Sequence, residues 1–343
     1  MAIKPLYTAL IYTLVLMQVK PQTGGNNVYE FLNLTHSGFT ASTGGVNVSL
    51  RNSDPNMAWN NPALLNDETD KALVLNFVNY FAGINYGSVL YPVTFPKEGT
   101  FGAGIIYLNY GSFREADESG NITGSFSASE YAFSFMWSHN IDSLFSAGIC
   151  FKPVLSHLEK YTSTGFAFDI GLSWHSADNL TFAGMVIRNA GLQLTTYDGE
   201  SREKLPFEIQ AGISWRLAHA PFRFSLTLRH LEKFDLTYEY PGSITSGTSS
   251  QSGFGENLFR HLITGVELIP HKNIWLAAGY NHQRRRELQV ESCTSTTGFT
   301  WGFGIKTSAI SLGFGRANFH LAGSSNHFSL TVRPDRFYKK FRN

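Results

Sequence analysis

The stretch Phe222-Arg-Phe-Ser-Leu-Thr-Leu-Arg229 carries the first clear structural signal. Successive side chains of an extended chain point to opposite sides. Phe222, Phe224, Leu226 and Leu228 therefore share one face, and Arg223, Ser225, Thr227 and Arg229 share the other. The same period recurs in Phe207, Ile209, Ala211, Ile213 and Trp215, which alternate with Glu208, Gln210, Gly212, Ser214 and Arg216. It recurs again in Phe166 to Trp174, Tyr131 to Trp137 and Phe328 to Val332. An apolar, aromatic face opposite a polar or tiny one is the pattern of strands with lipid outside and a lined lumen inside. A soluble sandwich also alternates, so the connections must separate the two.

About fourteen such strands are predicted. They start near Lys71, Asn85, Thr100, Phe126, Ser143, Thr164, Leu180, Leu205, Pro221, Leu258, Asn273, Ser295, Ala309 and Asn326. Every second connection is tight, as at Asn140–Asp142, Ala218–Ala220 and Thr307–Ser308. The others are mostly long and polar: Arg114–Gly124, Tyr197–Lys204, Tyr240–Gly255 and Arg284–Cys293. Tight turns toward the periplasm and long loops outward are the habit of outer-membrane barrels, as is an even strand number. An even number also puts both chain ends at the periplasmic side. The expected fold is all-β, a transmembrane antiparallel barrel with an N-terminal hatch or plug. Tyr80, Tyr91, Tyr107, Trp137, Trp174, Tyr280 and Trp301 near strand ends suit an aromatic girdle.

Composition agrees. Hydrophobic residues make 43% of the 343, charged ones only 15%, against roughly 25% in soluble domains. Net charge is +1, without the basic excess a nucleic-acid partner would need. Lys4 followed by the apolar run Leu6–Met17 reads as a secretory signal over residues 1–22, too short to span a bilayer. Residues 23–70 lack alternation and hold turn formers, Gly44-Gly45, Ser53-Asp54-Pro55 and Asn60-Asn61-Pro62. They are assigned to the plug, residues 71–333 to the barrel and 334–343 to a basic periplasmic tail. Cys150 and Cys293 could form one disulfide or stay as thiols.

Nothing in the sequence reads as an enzyme. No serine has a nucleophile-elbow setting, and the eleven histidines are scattered without metal-ligand spacing. No cofactor or metal is expected. Gly302-Phe-Gly304 and Gly313-Phe-Gly315 place glycines at period two inside strands, where they relieve crowding in the lumen. Arg284-Arg285-Arg286 is the densest positive run. It reads equally as a contact for anionic lipopolysaccharide or an acidic partner and as a solvated loop base.

The last motif lies in Trp59-Asn-Asn-Pro-Ala-Leu-Leu65. Pro62 fixes its own φ and drives Asn61 toward extended geometry, while asparagine side chains can serve exposed backbone groups. That chemistry suits a compact plug. The segment Asn60, Asn61, Pro62 and Ala63 resembles the hatch motif of the FadL-like outer-membrane family. Tyr29-Glu-Phe-Leu-Asn-Leu34, Gly44-Gly45 with Asn47-Val-Ser-Leu50, and Phe77 to Ser88 extend the likeness toward one branch, the barrels of the type IX secretion system of Bacteroidetes. Gly38-Phe-Thr-Ala-Ser-Thr43 departs from the more basic, alanine-rich run of that branch. The resemblance implies a fourteen-stranded barrel integral to a Gram-negative outer membrane. It also implies work in a surface attachment complex with a sortase-like protease (PorU), a second barrel (PorV) and an anchored surface protein (PorZ), which joins cargo to lipopolysaccharide. The alternative is a FadL-type transporter of hydrophobic compounds, for which Phe31, Leu32 and Leu34 would line an apolar site. The small inner-face residues Gly212, Ser214, Ser225 and Thr227 argue against a large greasy lumen.

Overall fold

A computed structural model describes residues 27–199, 201–236, 254–288, 296–320 and 323–336. The expected signal over 1–22, much of the Tyr240–Gly255 loop, Cys293 and the last seven residues of the tail lie outside the described residues. Among the described residues no helix is long and apolar enough to cross a membrane. Crossing is left to strands, which form one closed antiparallel barrel of fourteen. They are β1 (Leu73–Asn79), β2 (Asn85–Phe95), β3 (Gly99–Ala116), β4 (Ile122–Asn140), β5 (Phe145–Leu158), β6 (Tyr161–His175) and β7 (Thr181–Thr195). They continue with β8 (Glu208–Arg216), β9 (Phe222–Leu228), β10 (Leu262–His271), β11 (Ile274–Asn281), β12 (Phe299–Lys306), β13 (Ile310–His320) and β14 (Gly323–Val332). Each strand pairs with its sequence neighbours, and β1 closes on β14 with Phe77 opposite Phe328. No sheet edge is left open, as a bilayer requires.

Period-two patterning builds this wall. Leu75 and Phe77 face outward at 38% and 52% exposure, whereas Val74, Asn76 and Val78 between and beside them are buried in the lumen. Phe133, Phe135 and Trp137 likewise point out, and Ala132, Ser134 and Met136 point in. An outward apolar face over a filled interior is the inverse of a soluble barrel and is stable only in lipid.

Residues 27–70 are folded inside the barrel as short turns joined by caps. Ser37 accepts from the Thr40 amide at 3.0 Å and starts α1 (Gly38–Ser42). Asp54, Asn61 and Asn66 cap the 3-10 turns Pro55–Trp59, Pro62–Leu64 and Asp67–Thr69. Among the loop formers of the sequence, Asp54 and Asn61 are N-caps, each satisfying an orphan amide. Phe31, Leu32, Trp59 and Leu65 pack with Val74, Leu90, Ile106 and Met136 of the wall. Phe39, Leu50, Met57 and Leu64 make a second cluster with Phe182.

Several details differ from the sequence reading. The region Arg114–Gly124 is mostly ladder, with Arg114 opposite Ser125 and Glu115 opposite Gly124. Alternation simply continues past the membrane band, helped by stacked Phe113 and Phe126 rings 5.2 Å apart. The turn is confined to Asp117–Asn121, where Asp117 accepts from the Ser119 and Asn121 amides. Leu258, expected to begin a strand, sits in α2 (Phe254–Arg260). There Glu256 and Arg260 pair at i,i+4 spacing, 3.3 Å apart. Arg284–Arg286 lie in α3 (His282–Leu288), not in an open loop.

The first described residues also sit at the opposite mouth from the one expected for both chain ends. Asn27 bridges to Lys204, and the Val28 amide donates to the Lys204 carbonyl at 2.9 Å. Lys204 belongs to the long connection between β7 and β8. The plug therefore enters at the long-loop mouth and descends to the tight-turn mouth, where β1 begins. Strand parity fixes where strands start and stop, and says nothing about the path of a segment that precedes them.

Candidate functional site

The plug is locked to the wall at Asn61. Its φ of −152° and ψ of 112° are extended, as the following proline demands. The side-chain oxygen accepts from the Ala63 amide at 3.0 Å. The side-chain nitrogen donates to the carbonyls of Val48 at 2.9 Å and Leu172 at 3.0 Å. One amide thus caps a turn, ties two plug segments together and holds a backbone carbonyl of β6. The wall makes room with glycines. A Cβ on Gly171 would lie 1.9 Å from the Asn61 oxygen, and one on Gly315 would lie 2.1 Å from the Gly38 carbonyl. Asn60 reaches Thr40 at 3.4 Å, Pro62 is buried, and the Ala63 carbonyl accepts from Ser138 at 3.4 Å. The expected hatch motif is a docking joint.

A polar network holds the upper plug. Lys152 of β5 and Asp169 of β6 pair at 2.7 Å, both buried in the lumen. Lys152 also donates to the Asn189 oxygen at 2.6 Å. The Asn189 side chain donates on to Asn33 of the plug at 2.8 Å and to the Pro206 carbonyl at 3.0 Å. Arg188 donates to the Leu32 carbonyl at 3.1 Å. Here β7 carries an extra residue against β6, and Asn189 sits at a φ of +55°, so two consecutive side chains reach inward. At the other mouth Arg333 binds the Ser53 and Glu68 carbonyls, and Lys306 binds the Ser53 hydroxyl.

Two lumen cavities flank the plug. The one at the long-loop mouth has a volume of about 420 Å³, with Leu34, Val46, Tyr80, Tyr86, Arg284 and Phe319 among its walls. The one at the tight-turn mouth is about 770 Å³, with Phe39, Asn56, Arg223, Glu267, Trp275 and Lys306 among its walls. The two share no lining residue. In the outer cavity the Arg284 guanidinium lies 4.2 Å from the centre of the Phe319 ring. Its Nη1 is buried without a hydrogen-bond partner among the described residues. Burial lowers the Arg284 group to about 10, so it remains a cation at neutral pH. Glu30, Asn33, Arg229, His230 and Glu287 also line this cavity, so it is a mixed recess in which Arg284 is one of several charged groups beside the Tyr80, Tyr86 and Phe319 rings.

The residues singled out from sequence end up in different places. Phe31 and Leu32 are buried at 2% and 1% in the apolar core and line neither lumen cavity, while Leu34 lines the outer one. Of the arginine triplet, Arg284 turns inward, Arg285 lies 6.0 Å from the Phe299 ring, and Arg286 binds Glu256 at 2.5 Å. Cys150 is buried on the lumen side. Sequence pattern puts Asp169 on the polar face of its strand but does not join it to Lys152 and Asn189. Lys152 and Asp169 are legible as charged residues at inward parity, Lys152 between Phe151 and Pro153 and Asp169 between Phe168 and Ile170, whereas Asn189 turns inward only through the bulge in β7.

No known sequence family and no curated protein matches the chain. Solved structures do. The toluene transporter TbuX of Ralstonia pickettii is similar with a TM-score of 0.54 at 12% identity, over 89% of this chain and 100% of that one. The toluene transporter TodX of Pseudomonas putida gives 0.52 at 11%, over 87% and 96%. A FadL homologue of Pseudomonas aeruginosa gives 0.51 at 12%, over 87% and 98%. At such identity the likeness speaks for fold. Two of these neighbours are named as toluene transporters. The chain accordingly has the fold of these barrels, a closed antiparallel wall of fourteen strands.

Proposed function

We propose that this barrel is a plugged outer-membrane anchor of a type IX surface attachment complex, corresponding to the PorQ component, which holds PorZ beside PorU and PorV. One observation carries the reading. The segment that bears the sequence resemblance, Tyr29 to Tyr91, forms the plug and the first hairpin, and the plug fills the lumen with wall contacts as close as Asn61 to Gly171. The solved barrels that align over 87–89% of this chain are named transporters, so the plug is compatible with support and with passage alike. We assign partner contact to the long outer connections Arg114–Gly124, Tyr240–Gly255 and Arg284–Cys293. Arg286, exposed on α3 and paired with Glu256, is the member of the triplet we assign to lipopolysaccharide or an acidic partner.

The test is a mild-detergent pull-down from a Bacteroidetes host. Recovery of a sortase-like protease and a second barrel supports the anchor. Replacing the three long loops by short turns should leave the barrel in the membrane and release PorZ, and unchanged retention of PorZ sinks the assignment.

A second reading, passage of hydrophobic compounds, has the stronger support from the solved structures, through the named functions of TbuX and TodX. Purification of the barrel alone with a bound hydrophobic compound would support it. So would faster toluene entry into cells carrying the protein, slowed when Val46, which lines the outer cavity, is replaced by a bulkier residue.

A further inference from the structure

On the outer surface, the register lines up three rows across β12, β13, β14 and β1. Phe303 is opposite Phe314, Phe314 opposite Phe328, and Phe328 opposite Phe77. Two residues nearer the tight-turn mouth, Ile305, Leu312, Leu330 and Leu75 form a second row in the same order. Between them lie Gly304, Gly313, Ser329 and Asn76, at positions whose side chains point into the lumen. The outer surface there is bare backbone between a wall of four phenyl rings and a wall of four aliphatic chains. The trench between them has a volume of about 450 Å³.

Its walls and floor are braced. Neighbouring rings of the phenyl wall sit 5.6 and 5.3 Å apart. Behind the floor, Trp275 lies so close to Gly304 that a Cβ there would meet the indole at 2.4 Å. Phe39 of the plug packs edge-on against that indole at 5.2 Å. The plug thus supports the floor from inside.

We propose that this trench holds one acyl chain of a phospholipid from the tight-turn leaflet. The trench opens in the lipid-facing band, so hydrocarbon is the medium that meets it. Four strands span about 14 Å at the usual spacing of about 4.8 Å. That is close to the roughly 15 Å of half a hydrocarbon core, the reach of one chain in its leaflet. An extended peptide finds little there, because the ladder pairs beneath the trench are continuous and leave no free backbone group to bind it. A hydrocarbon chain needs none. Strands tilt about 40° from the membrane normal, so a chain following the trench lies about 50° away from its bulk neighbours. It is therefore held apart from the fluid layer. This inference rests on the barrel being in a membrane and is independent of which partner or cargo it serves.

Native mass spectrometry of the intact barrel, extracted from vesicles of phosphatidylethanolamine and phosphatidylglycerol and washed through graded detergent, tests this. The wild type should keep one phospholipid after the rest are stripped. Leu312→Trp, which fills the trench, should lose it. Ile170→Trp, outward on the far wall, should keep it. If Leu312→Trp does not give the heat-shifted gel band of a folded barrel, Ile305→Phe makes the same test. Retention of the lipid by the filled variant, or none by the wild type, overturns the proposal. So does a crosslink to protein instead of lipid from benzoyl-phenylalanine placed at Phe77 in cells.

Discussion

Asn61 shows how much one amide can hold. Asn61→Ala removes a cap and leaves two buried carbonyls short of a donor. The expected cost to plug docking is about 2–4 kcal/mol. Hydrogen exchange should speed up across residues 29–66 while the strands stay protected. Gly171→Ala should act more strongly, since its Cβ would overlap the Asn61 oxygen and the wall cannot give way in a closed ladder. His36 adds a pH dependence. Burial first, then the nearby Arg188 cation, pushes the ring down to about 3 from 6.5. The plug holds the neutral ring. A released plug takes up a proton below about 6.5, so His36 supports docking fully above that pH and less as pH falls toward 3. Thermal unfolding at pH 7 and pH 4.5 should show the drop, and His36→Phe, which keeps a ring against Trp59 and Tyr86, should make it smaller.

At the scale of elements, the strands were legible because a bilayer forces period two. Every start falls within four residues of its expected position; β2 begins at Asn85 as read, and β4 is early by four at Ile122. The misses have a common cause. Leu258 carries the same apolar character in a strand and in a helix, and a single turn cannot reveal its period. The plug was recognisable through its caps, yet its path was not, because close packing of Gly171 on Asn61 or Gly315 on Gly38 leaves no periodic trace. The candidate site was partly legible for the same reason. Asn61 and Pro62 announce a joint, while Arg284 reads as solvated until α3 turns it inward. The β5–β6–β7 network permits a direct test. Lys152→Met should cost roughly 3–5 kcal/mol by stranding Asp169 in the lumen, and Lys152→Met with Asp169→Leu much less. Chemical unfolding of the refolded barrel would measure both.

For the whole molecule, a filled lumen predicts an electrically quiet one. Planar bilayers carrying the wild type should show little ion conductance, and removal of residues 27–66 should raise it to that of an open barrel. A wild type that already conducts freely would argue against the anchor. The path of the plug has a further consequence, for the order of assembly. Its leading end is tied at Lys204 by the long-loop mouth, and its trailing end runs into β1 at the other mouth. Wall glycines touch it on several sides, which leaves little clearance for threading a finished segment through a finished ring. The ring must then shut last, with β1 meeting β14 around a segment already in place. Pulse-labelled refolding should find the amides of Asn61 and Ala63 protected no later than those across the Phe77–Phe328 seam, so that the stopper is set before the hoop is closed.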